Sequence, residues 1–279
     1  MGTAVLHNRL ELNSAASSAL RTAAGFWFVV AVIGQWAFFY YIVAFYGPTT
    51  FSGNFQAWSK NSFLRHGYIA GDTAGNLVFA AHALLAGIIA FGGALQLVPQ
   101  IRTRAMAVHR SLGRVFMVTA WGLGVSGLYI TWLHGARPKF FAALPTDLNA
   151  VLIIAFVGLA WRSAATHQIP AHRRWALRTY LVANAQWFTR VGFLAWVIVS
   201  RSLFRAGDRY DDAFFAFLGY GCFLVPLAIL ELYLRAKQSG AWWKQFTMAG
   251  VLVLLTLLMG AGIFGVASFM WLPLLKAVR

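Results

Sequence analysis

Seven apolar stretches of roughly 20 residues each, separated by short polar connections, constrain this chain more than any other feature. A run of that length is what an α-helix needs to cross about 30 Å of hydrocarbon at about 1.5 Å per residue. The stretches fall at about 24–47, 74–98, 113–133, 148–164, 177–200, 213–235 and 246–273. The fold class that follows is all-α, a polytopic transmembrane bundle of about seven helices. No connection is long enough to hold a second unit, the longest being 48–73, so residues 1–279 read as one transmembrane domain.

Composition agrees. Hydrophobic residues make up 60% of the chain and charged residues 11%, against about 45–50% and about 25% in soluble domains. A net charge of +16 would suit nucleic acid on a soluble protein. Here lysine and arginine have another use, at helix ends and against anionic headgroups. The lipid bilayer is therefore the expected partner and nucleic acid is not. One cysteine, Cys222, supports neither a disulfide framework nor a cysteine metal cluster. The first long apolar run is of spanning length and follows no small-residue cleavage site, so it reads as a retained helix. Leu6 and His7 stand where a myristoylation signal would need serine or threonine.

The basic residues also orient the bundle. With the N-terminus inside and the C-terminus outside, thirteen lysines and arginines fall on the cytoplasmic side, nine fall on the other, and Arg190 lies within a span. That bias favours the N-in arrangement.

It also brings two motifs to one face. HRSLGR begins the third span with His109, Arg110 and Arg114, and HRRWALR begins the fifth with His172, Arg173 and Arg174. Both spans run outward, so the motifs start parallel helices at the cytoplasmic side. At helical spacing His109 shares a face with Gly113, Met117 and Ala120, and Gly124 and Gly127 extend a strip of small residues. His172 is followed on its own face by Thr179, Gln186 and Arg190. Anchoring to headgroups is the plain alternative for the arginines and histidines at these ends.

Arg190 is different. It stands near the middle of its span, where an ionised arginine costs about 2.5 kcal/mol or more unless it meets a partner or a cavity. No acid falls at its depth. An anionic or carbonyl-bearing ligand, or carbonyls freed from another helix, is the inference. His82 in the second span comes within about 3 Å of the same depth at about 1.5 Å per residue. Tyr220 and Ser126 reach similar depths, with Asn184 and Gln186 a turn deeper. These side chains make up one candidate intramembrane site.

The run from His82 through Gln96 and HRSLGR, followed by HRRWALRTYLVANAQWFTR, resembles the bacterial family of predicted membrane proteins catalogued as domain of unknown function 2306. The resemblance covers about residues 75–235. It implies a multi-helix protein of the bacterial cytoplasmic membrane and brings no established activity. A second similarity, of arrangement only, is to the ascorbate-reducing di-haem cytochromes b, which carry histidines on four successive helices. Mapped here, it leaves one bis-histidine pair, His109 with His172, with Arg110, Arg114, Arg173 and Arg174 beside haem propionates. His82 lacks a partner for the second pair.

Three function classes stay open on these residues. The first is redox, with one b-type haem or a quinone held by His109, His172, His82, Arg190 and Tyr220. The second is lipid or anion binding and transport, and the third is an accessory subunit of a membrane complex. Hydrolase and nucleotide motifs are absent from the sequence, and a lone intramembrane histidine makes no metal site.

Overall fold

The computed structural model describes residues 2–61, 67–135, 140–204 and 208–278. Arg65, Arg137, Lys139, Arg205 and Arg279, counted above on the outer side, lie outside the described residues. All regular structure described is helical.

Helix α1 (Gly2–Phe51) leads through a short 3-10 turn (Phe55–Lys60) to α2 (Thr73–Leu97), the one-and-a-half-turn α3 (Pro99–Arg104), α4 (Met106–Leu133) and α5 (Phe140–Ala165). Then come α6 (Ile169–Ala183), α7 (Ala185–Val199), α8 (Asp208–Gln238), α9 (Trp242–Val266) and α10 (Leu272–Val278). Six of these elements are long and apolar enough to cross a membrane. The bent pair α6–α7 makes a seventh span if counted as one.

Two boundaries differ from the sequence reading. The first is α1, which is 50 residues long and starts far before the expected span at 24. Its early part is held by α9: the Ser17 hydroxyl donates to Gln245 Oε1 at 2.8 Å, and Leu20 and Ala23 pack with Met248, Ala249 and Leu252. The second is the expected straight helix over 177–200, which is two helices bent by 57°. Asn184 causes the break. Its side-chain amide donates to the Tyr180 carbonyl at 2.8 Å, taking an acceptor from the helical ladder. Its own carbonyl takes the N–H groups of both Trp187 and Phe188, which restarts the helix in a new direction. The polar face running from His172 to Arg190 is therefore folded at its middle.

Around the bundle α2 packs on α1 and α4, α4 on α5, α5 on α6, α7 on α8 and α9, and α9 returns to α1. Lipid gives apolar side chains no reason to prefer protein, so close backbone approach at small residues carries the packing. A methyl on Gly124 would lie 2.9 Å from Ile154 Cγ1 and 3.2 Å from the Ala150 carbonyl oxygen, which shows how α4 meets α5. At Gly262 a methyl would strike the Val191 carbonyl, so α9 touches the α7 backbone there. Gly127, the next small residue expected in the strip, has more room. The nearest atom to its missing methyl is His82 Cε1 at 3.7 Å.

Candidate functional site

Arg190 sits on α7 just beyond the Asn184 break. Its Nη1 donates to the Gln186 carbonyl at 2.7 Å and to Gln186 Oε1 at 3.2 Å. The guanidinium lies over the Phe38 ring of α1, with Cζ 5.5 Å from the centroid. Among the described residues no carboxylate pairs with it. Nε is buried without a partner, and among the described residues Nη2 has no hydrogen-bond partner either. Two other arginines are paired with carboxylates: Arg178 holds Glu231 at 2.7 Å and Arg201 holds Asp211 at 2.7 Å.

The walls around Arg190 come from α1 and α2. The Tyr41 and Tyr46 rings and His82 all lie within range of its charge. Asn61 Nδ2 donates to both tyrosine hydroxyls, at 3.0 Å to Tyr41 and 3.3 Å to Tyr46. Trp271 stacks on Phe38 at 5.4 Å. Three further buried donors in this part of the bundle lack acceptors: Gln35 Nε2, Trp187 Nε1 and Trp271 Nε1. Gln35 and Phe38 are one turn apart on α1, as Trp187 and Arg190 are on α7. The orphans here are all donors. Leaving such groups unpaired in a dry interior is costly, and an acceptor-bearing ligand removes that cost.

His82 contributes the opposite polarity. The Ser126 hydroxyl donates to the Gly122 carbonyl at 2.6 Å. Its oxygen therefore accepts from His82 Nδ1–H at 2.8 Å. The neutral ring then carries its lone pair on Nε2, which has no partner among the described residues. Gln186 is exposed, and His82, Ser126 and Arg190 are half-buried. Tyr220 does not join them. The residue is 38% exposed, its ring contacts Phe223, and it makes no hydrogen bond or ring contact with Arg190 or His82.

The His-Arg motifs meet at one end of the bundle, where His109 lies within range of the charges of His172 and Arg102. Both imidazoles are half-buried, while Arg110, Arg114, Arg173 and Arg174 are exposed and form no ion pair among the described residues. The two rings are held in opposite senses. His172 Nδ1 donates to the Ala160 carbonyl at 2.9 Å, so its Nε2 is an acceptor. At His109 the Gln96 amide decides. Oriented to satisfy its neighbours, its Nε2 donates to His109 Nδ1 at 3.0 Å and to the His109 carbonyl at 3.2 Å, and its oxygen accepts from Gly113 N–H at 3.2 Å. That leaves the proton of neutral His109 on Nε2. An axial haem ligand needs a lone pair there, with the other nitrogen donating. His172 fits that requirement and His109 does not, so the pair does not fit a bis-histidine haem. Among the described residues there is also no group of three histidine, cysteine or acidic side chains able to hold a metal ion.

At the far end, outside the spans, Asp72 caps α2 by accepting from Gly75 N–H at 2.8 Å and from His134 Nδ1 at 2.8 Å. The bond from His134, followed by that from Gly75, holds its carboxyl below the usual range.

Several of these groups were not singled out in the sequence. Gln35 carried a signal, being a lone amide inside an apolar run. Tyr41, Tyr46 and Asn61 carried none, because only the fold returns residue 61 to the side of α1. No curated protein and no solved structure matches the chain. A family described as a predicted membrane protein, DUF2306, matches residues 79–234, a segment that takes in His82, Gln96, both His-Arg motifs and Arg190, while the α1 wall precedes it. With more than half of its length matched, the chain belongs to the DUF2306 family of predicted membrane proteins.

Proposed function

We propose that this protein binds the anionic headgroup of a membrane amphiphile, with Arg190 as the anchoring residue, and that it serves as a lipid- or anion-binding transport protein. The observation that carries the reading is the free Nε–Nη2 edge of Arg190, buried on Nε and without a carboxylate. Two parallel N–H donors on that edge match two oxygens of a carboxylate or phosphate. The Asn184 break supports the same reading, since discontinuous helices place irregular backbone beside bound solute in membrane transporters. The exposed arginines at the His-Arg end suit headgroup anchoring, with that end on the cytoplasmic side of a bacterial inner membrane.

The test is extraction of wild-type and Arg190→Leu protein purified in mild detergent, followed by mass spectrometry. An anionic amphiphile enriched in the wild type and lost in the variant is expected. A quinone in its place would move the protein to the redox class, because quinone carbonyls also accept from arginine. Equal extracts from both proteins would remove Arg190 from any binding role and leave the accessory-subunit reading.

A further inference from the structure

The intramembrane site has two polarities. Arg190 offers donors. His82 offers an acceptor, because Ser126 holds its Nδ1–H. A plain carboxylate or a phosphate diester without hydroxyls satisfies Arg190 and leaves His82 Nε2 unpaired. A quinone, with two carbonyl acceptors, does the same. A ligand that meets both walls must carry an oxyanion and, a short distance away, an O–H group. The imidazole lies within range of the guanidinium charge, and the two side chains spend their recorded hydrogen bonds on Ser126 and Gln186 rather than on each other. Gly127 keeps that side of the ring clear, since its missing methyl would lie in ordinary contact distance of His82 Cε1.

We infer that the ligand is a hydroxyl-bearing phosphate, whose oxyanion takes the Nε–Nη2 edge of Arg190 and whose hydroxyl donates to His82 Nε2. This rests on the Arg190 reading above and adds the part that His82 plays, as a selectivity residue. The same chemistry is offered by a polyol-phosphate lipid headgroup and by a soluble polyol phosphate.

The experiment measures binding to the full-length protein of three probes. They are phosphatidylglycerol and phosphatidylmethanol, each presented in otherwise zwitterionic nanodiscs, and free glycerol phosphate. Phosphatidylmethanol keeps the charge and lacks the hydroxyl. Wild type should prefer phosphatidylglycerol over phosphatidylmethanol by about tenfold, the equivalent of one well-placed hydrogen bond of about 1.4 kcal/mol. His82→Phe should bind the two lipids equally, at the weaker level. If that variant fails to fold, Ser126→Ala tests the same point, because it frees the ring to swap tautomers and should shrink the preference without touching the ligand. Arg190→Leu should lose both lipids. Glycerol phosphate binding as tightly as phosphatidylglycerol would name the soluble source, and its failure to bind would name the lipid. Equal binding of the two lipids by wild type overturns the role of His82 while leaving Arg190 in place. Unchanged binding by Arg190→Leu overturns the anchoring role, and this inference with it.

Discussion

The two arginine-histidine regions of the bundle use the same residue types and do opposite things with them. At the His-Arg end the arginines are exposed and the histidines turn inward, each fixed by an amide or carbonyl. Water and headgroups satisfy the charges there, so the sequence motif by itself carries no ligand. Around Arg190 no solvent does that work. The guanidinium is held by its own helix and by Phe38, and one edge stays unpaired. An arginine is therefore informative by its depth and its missing partner, not by its company in a motif.

The largest effect should separate these regions outright. Arg190→Leu should abolish co-purified ligand while leaving yield and thermal stability near wild type, since a buried unpaired charge contributes little to folding. Arg190→Lys should recover little, because an ammonium lacks the two-donor edge. Replacing Arg110, Arg114, Arg173 and Arg174 together by glutamine should instead keep the ligand and weaken only orientation and insertion, read by reporter fusions. Those fusions should place the connections at 99–112 and 165–176 on the same, cytoplasmic side. Ligand loss in the quadruple variant with retention in Arg190→Leu would reverse the comparison.

Packing gives the next effect. Gly124→Ala should destabilise by about 1–3 kcal/mol through overpacking, since its methyl would press on Ile154 and the Ala150 carbonyl. Gly127→Ala, facing His82 at 3.7 Å, should be close to neutral in thermal melts. Equal shifts for the two would mean that the space beside His82 is closed.

Smaller still is a pH effect at the far end. The Asp72 carboxyl is held low by His134 and Gly75 N–H. Its stabilising contribution is therefore present above the ordinary carboxylate value and lost as pH falls through the lowered one. Wild type should lose thermal stability over that acid range more steeply than Asp72→Asn. Parallel curves would show that the cap does not matter.

Much of this architecture was legible in the apolar runs, because spanning length is a demand of the bilayer itself. Arg190 stood out for the same reason, as did His82 and Ser126 at its depth. The break in the fifth span was not legible. Asn184 keeps helical spacing on both sides, and only its bond to the Tyr180 carbonyl redirects the chain. Tyr220 was expected in the site because depth can be counted along a helix, whereas rotation about its axis depends on neighbouring packing. The Tyr41–Asn61–Tyr46 cluster joins residues on either side of a turn that returns to α1, a pairing that no local pattern encodes. At the His-Arg end the motifs were visible, and what they lacked was the Gln96 contact that sets the tautomer of His109.

The central claim is that the free edge of Arg190 faces a ligand oxyanion inside the membrane. A cryo-electron microscopy map of the protein in nanodiscs of native lipid tests it most directly. The account predicts non-protein density at hydrogen-bond distance, about 2.7–3.2 Å, from both Nε and Nη2, extending toward His82. A map in which that edge is closed by a protein carbonyl or carboxylate, or in which Arg190 reaches the headgroups with no density beside it, would contradict it.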